Sequence, residues 1–212
     1  MSRTLLCLAG LLCMISSIVD AQLVRSYGLK AGTAAANQNW EYASLPASLD
    51  TRTRWGLDIG AFVEWLNMPT FSVLSEVHYV QKGFKTEIPV TTEQFPEGNG
   101  TYLSFSPVVH YLSIPIMAKG RIDIGSATVY GFAGPRVDVL LSEQGDAFDA
   151  VVKNFKGSEF GASLGVGLET AQLGHFVVGL EFRYSPTFQD SYSTSLLSVR
   201  NRSMEMLIVI GT

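Results

Sequence analysis

The chain has 212 residues, 47% hydrophobic and 16% charged, with a formal net charge of −4. That balance suits one domain with a large apolar surface, and the absence of any Lys/Arg run argues against nucleic acid as a partner. Cys7 and Cys13 both precede residue 22, so the remainder holds no thiol for a disulfide, a thiolate metal site or a cysteine nucleophile.

Residues 1–21 read as an export signal. Arg3 supplies the positive end, Leu5 to Val19 form an apolar stretch, and Val19-Asp20-Ala21 offers a small residue before Gln22. The apolar stretch is shorter than the roughly 18–20 residues a spanning helix needs, which favours a cleaved signal over a retained anchor. Residues 22–212 then form one domain.

Within that domain no apolar run reaches spanning-helix length, yet hydrophobic residues recur at every second position. The first weak segment is 23–34. The second is clear: Trp55, Leu57, Ile59, Ala61, Val63 and Trp65 alternate with Gly56, Asp58, Gly60, Phe62 and Glu64. Segments near 70–83, 108–121 and 127–141 are compatible with the same period. Phe160, Ala162, Leu164, Val166 and Leu168 alternate with Gly161, Ser163, Gly165, Gly167 and Glu169, and Phe176 to Tyr184 repeat the pattern. A last segment covers 202–211. Eight segments of this kind predict an all-β fold: an eight-stranded antiparallel up-and-down transmembrane β-barrel.

The connections support that reading. Asn67-Met68-Pro69, Asp123-Ile124-Gly125-Ser126 and Gln172-Leu173-Gly174 are short turns, whereas 35–51, 85–105, 142–157 and 187–201 are long and polar. Short turns at one end and long loops at the other is the asymmetry of bacterial outer-membrane barrels, with both termini on the periplasmic side. Trp55 and Trp65 stand ten residues apart on the apolar face. At about 3.3 Å per residue and a tilt near 45°, they bracket about 23 Å, the height of an outer-membrane apolar band.

With the apolar face against lipid, the opposite face fills the lumen. It carries Lys30, Asp58, Glu64, Glu76, His78, Lys82, Lys119, Arg136, Asp138, Glu169, Glu181, Arg183 and Glu205. Charges so placed are expected to pair across strands or be wetted, because isolated burial costs several kcal/mol each. A soluble ligand-binding barrel has the inverse polarity, and interior glycines such as Gly56, Gly60 and Gly165 leave space for these long side chains.

The run Tyr111-Leu112-Ser113-Ile114-Pro115-Ile116-Met117-Ala118-Lys119 resembles the fourth strand of the PorT-like outer-membrane β-barrel family. Gly131-Phe132-Ala133-Gly134-Pro135, Gly161 to Glu169 and Glu181-Phe182-Arg183-Tyr184 resemble its fifth, sixth and seventh strands, so the likeness covers most of residues 22–212. Ser113 stands where the family often has an acid, and the chain ends Ile210-Gly211-Thr212 where such barrels often end on an aromatic. The resemblance implies an outer-membrane barrel, with one branch of the family associated with secretion of other proteins.

No catalytic, cofactor or metal site is expected. His78, His110 and His175 have no ligand spacing, and His110 with Ser113 or His78 with Ser75 fall on opposite strand faces. The expected function is a non-enzymatic, monomeric barrel in contact with outer-membrane lipid, engaging a protein partner through its loops or periplasmic turns. A narrow passive pore and an outer-membrane lipid hydrolase are the alternatives. The loops are acidic, suited to divalent cations that bridge lipopolysaccharide or to a basic partner, and Trp40, Tyr42, Phe95 and Tyr192 are the candidate loop contacts.

Overall fold

Period-2 hydrophobicity makes each segment half-apolar as a strand, and antiparallel closure removes the unpaired edges that a lipid environment does not tolerate. A computed structural model describes residues 23–43, 50–91, 100–144, 149–170 and 176–212. The signal, its two cysteines, Phe95, His175 and the turn at 172–174 lie outside the described residues.

The elements in chain order are β1 (Val24–Tyr42), β2 (Arg52–Trp65), β3 (Phe71–Pro89), β4 (Tyr102–Phe105), β5 (Val108–Ile124), β6 (Ala127–Gln144), α1 (Asp149–Val152), β7 (Ser158–Thr170), β8 (Val177–Pro186), β9 (Tyr192–Ser193) and β10 (Leu197–Gly211). Eight strands form a closed ring in the order β1-β2-β3-β5-β6-β7-β8-β10. Every pairing is antiparallel, and β10 returns to β1 over fifteen partners, from Gly28 opposite Gly211 to Tyr42 opposite Leu197. The short strands β4 and β9 stand off the ring, pairing with the ends of β3 and β10.

Several strands run further into the long-loop side than the sequence suggests. β1 continues to Tyr42, so residues 35–42 of the expected 35–51 loop are barrel wall, and β10 begins at Leu197 rather than 202. Residues 85–89 and 102–105 of the expected 85–105 loop form a hairpin arm made by β3 and β4. These extensions lie above the membrane, and hydrophobic alternation fades wherever the outward side meets water.

Prolines sit where the ladder is interrupted. Pro115 on β5 has no N–H to donate to β3, and the β3–β5 register skips from Ser75↔Ile116 to His78↔Ser113 around it. Pro135 stands where the β5–β6 register skips from Pro115↔Arg136 to Ala118↔Ala133. Gly125, at φ +63, turns the tight β5–β6 hairpin, a conformation that glycine adopts without a Cβ clash.

Outward positions from Met204 to Ile210 on β10 and from Trp55 to Ile59 on β2 are exposed and apolar, the lipid-facing belt. A charge in its middle must leave water entirely. We predict that Ile59→Arg lowers unfolding stability in vesicles by about 2–4 kcal/mol, read from the urea midpoint. An unchanged midpoint would place this face outside the hydrocarbon.

Candidate functional site

Inward positions build a solid column of side chains. Glycines on β1, β2, β7 and β8 oppose the long residues of the other strands: Gly60 lies across from His78, and a Cβ there would come within 2.5 Å of the His78 ring. Twelve of the thirteen charged or histidine residues expected in the lumen are buried, from Glu181 at 0% exposure to Arg183 at 6%. Glu169, at the periplasmic mouth, is partly exposed.

The centre is organised around Glu76. Its carboxylate meets Lys30 Nζ at 2.5 Å, Arg183 Nη2 at 2.7 Å and His78 Nε2 at 3.1 Å. Lys30 also reaches Glu181 at 2.6 Å, and Arg183 pairs with the same Glu181. His78 Nδ1 lies 2.6 Å from Asp58. Ionised carboxylates only accept hydrogen bonds, so a ring bonded to one on each nitrogen is an imidazolium.

Above this cluster, towards the long loops, Asp138 binds Lys82 at 2.6 Å and Arg136 at 3.1 Å, while Glu205 accepts from Ser185 and Ser203. Below it, Glu64 gathers Lys119 at 2.9 Å, Arg25 at 3.2 Å and Arg121, with Lys119 also on Glu169 at 2.5 Å. The lysine heads rest on aromatic faces: Lys119 lies 3.9 Å from the Tyr130 centroid and Lys30 5.3 Å from that of Phe62.

Three contributors escape the sequence reading. Arg121, inside the expected 108–121 segment, continues the inward parity of Lys119, and Glu159, one residue before the expected start at Phe160, continues that of Gly161. Glu159 accepts from the Tyr111 hydroxyl at 2.6 Å and from Asn201, which Gln38 also contacts. Arg25, at the periplasmic rim, is the third. Eight inward carboxylates (Asp58, Glu64, Glu76, Asp138, Glu159, Glu169, Glu181, Glu205) thus face eight cations once Arg25 and the imidazolium join Lys30, Lys82, Lys119, Arg121, Arg136 and Arg183.

The long-loop end closes with an apolar cap. Trp40, Phe84, Val109, Tyr111, Val152, Phe155 and Val199 form one buried cluster, into which α1 brings Val152. This corrects the expectation for Trp40, which is 2% exposed and packs on Phe84 at 5.4 Å between ring centroids instead of standing free in a loop. Its parity explains the change: β1 extends past it, and position 40 faces inward. Tyr192 is likewise half-buried against the cap and paired to Val199, whereas Tyr42 is exposed at the end of β1.

Exposed large apolar residues beyond the belt include Ile88, Tyr102 and Leu103 on the β3–β4 arm, with Phe188 and Leu196 on the β8–β10 connection. The serine/histidine pairs considered above do not meet. Ser113 is buried in the lumen, while His110 Nδ1 contacts the Tyr79 hydroxyl at 2.6 Å on the wall; Ser75 binds Trp65. No group of metal-ligating side chains is found among the described residues.

Breaking the Glu76 hub leaves buried charge without its partner. We predict that Lys30→Met costs about 3–5 kcal/mol in a urea titration, and that adding Glu181→Gln recovers part of the loss. Additive losses in the double variant would mean that Lys30 and Glu181 do not interact.

Similar solved structures include OprG of Pseudomonas aeruginosa (10% identity, 90% of this chain and 96% of that one, TM-score 0.47). Outer membrane protein W of Escherichia coli (16%, 91% and 98%, TM-score 0.43) and the outer membrane protease OmpT of E. coli (8%, 92% and 98%, TM-score 0.47) are also similar. No curated protein matches the sequence. Residues 21–193 match the model of the outer membrane protein beta-barrel domain, and the chain belongs to that family.

Proposed function

We propose that this protein is a closed, non-conducting and non-enzymatic outer-membrane barrel that engages a protein partner through its extracellular rim. One observation carries the first half: the lumen is filled at its centre, above a vestibule of about 240 Å3 at the periplasmic mouth lined by Arg25, Phe62, Glu64 and Glu169. Between Asp58, His78, Lys82, Arg136, Arg183 and Glu205 the remaining void is about 10 Å3, room for about one water molecule. Above it lies the apolar cap.

The partner-binding half rests on Tyr102, Leu103, Phe188 and Leu196, which are 53–66% exposed where the wall has left the lipid belt. Aromatic and aliphatic side chains held there on strands and short connections are suited to a protein interface. The PorT-like character of the strand from Tyr111 to Lys119 points to a partner in protein secretion. A hydrolase reading is disfavoured because no serine among the described residues hydrogen-bonds a histidine.

A closed lumen predicts little steady conductance from the refolded chain in planar bilayers. Sustained, ion-selective current in the unmutated protein, altered by Arg136→Ala, would establish the pore reading instead. For the rim, a photo-crosslinking residue at Tyr102 is expected to yield one discrete adduct in native membranes, absent when the probe replaces lipid-facing Ile208. Equal labelling at both positions would remove the rim as the contact surface.

A further inference from the structure

The outer wall carries a groove that the closed lumen does not explain. It has a volume of about 380 Å3 and is lined by Ala35, Asn37, Thr53, Tyr184, Arg202 and Met204, together with Ser203. Strand register accounts for its shape. Ala35 on β1 stands opposite Met204 on one side and Trp55 on the other, and Met204 stands opposite Tyr184. The Ala35 methyl between larger side chains makes the groove floor, and Met204, 63% exposed, stands at its wall.

One step towards the long loops, the chemistry changes. Arg202 stands opposite Asn37, is exposed, and forms no ion pair among the described residues. On β10 it follows the apolar outward series Ile210, Ile208, Met206 and Met204, which places its guanidinium where the belt ends. Two residues further out, about 6–7 Å along the strand, Arg200 is held by Asp190 at 2.9 Å. The groove therefore has an apolar lower part and a cationic upper end, with Asn37 and Thr53 between.

We infer that this groove binds the phosphorylated sugar headgroup of an outer-leaflet glycolipid, with one acyl chain over Ala35 and a phosphate on Arg202. Depth and charge select this occupant. A guanidinium at the hydrocarbon boundary pairs with phosphate through two parallel N–H donors. The amide and hydroxyl beside it suit sugar hydroxyls, and the second arginine above extends the polar contact beyond the reach of a single glycerophosphate. The site lies on the β8–β10–β1–β2 wall, apart from the β3–β4 arm of the proposed protein contact and distinct from its Phe188 and Leu196 on the β8–β10 connection.

The test is native mass spectrometry of the refolded barrel released from detergent, with bisphosphorylated lipid A, dephosphorylated lipid A and phosphatidylglycerol as probes. One lipid A is expected to remain per chain, and Arg202→Gln is expected to weaken retention about tenfold, the loss of a charge-assisted contact. Ala35→Trp, which fills the groove without changing charge, is expected to do the same. Arg52→Gln, which breaks the exposed Arg52–Glu87 pair outside the groove, is expected to retain lipid A. Heat-modifiable gel migration confirms that each variant is folded. Equal retention by Arg202→Gln and the unmutated chain overturns the site. Equal retention of dephosphorylated lipid A overturns the phosphate contact, equal retention of phosphatidylglycerol overturns the glycolipid in favour of a general anionic lipid site, and displacement by millimolar inorganic phosphate reduces it to a free-anion site.

Discussion

A ring of eight strands encloses a space about as wide as the side chains that point into it. Anything charged placed there has little water to lean on, so each inward carboxylate must find a cation or a hydrogen-bond donor within reach. The rest of the molecule follows from that requirement. Glu76 on β3 reaches β1 through Lys30 and β8 through Arg183, so a single hub ties strands that are not neighbours in the ring. Glycines at Gly60 and Gly167 give up their side chains to let His78 and Tyr130 lie across the lumen. The network and the closure of the barrel are therefore one feature, since ring register decides which charges meet.

The same requirement separates the two ends. At the periplasmic mouth Glu169 keeps partial access to solvent and, with the buried Glu64, gathers Arg25, Lys119 and Arg121. At the opposite end the wall outlasts the membrane, and burial there is achieved with Trp40, Phe84, Tyr111 and Phe155. An apolar cap needs no partners for its side chains, and it excludes water from the ion pairs beneath, which strengthens them. Tyr111 joins the two regimes, with its ring in the cap and its hydroxyl on Glu159.

Much of this was legible in the sequence, and the limits have physical causes. Period-2 alternation identified the inward face of β2 and β7 because lipid demands apolar residues at every outward position. Inward parity alone then named Lys30, Glu76, His78, Arg136 and Arg183. Partner choice was not legible: which acid meets Lys30 depends on the stagger between strands 46 and 151 residues apart. Trp40 was misplaced because the alternation that marks a strand is imposed by lipid, and beyond the belt β1 continues without it. Outside the membrane the barrel is held by its own ladder and by the cap, neither of which leaves a periodic signal.

The outer surface obeys a different constraint from the lumen. Lipid-facing side chains need only be apolar, so positions such as Ala35 and Thr53 are free to be small, and their size shapes the wall rather than a core. Where that wall meets the headgroup region, the solvent changes within two residues, from Met204 to Arg202. A cation there is neither buried like Arg183 nor fully hydrated, and its natural counterion is supplied by the membrane. Inside, charge is neutralised by the chain itself; on the outside, the chain leaves charge for the surroundings to neutralise. That difference is why a barrel with a closed centre still presents chemistry, and why the recognition surfaces proposed for it lie on the wall and rim.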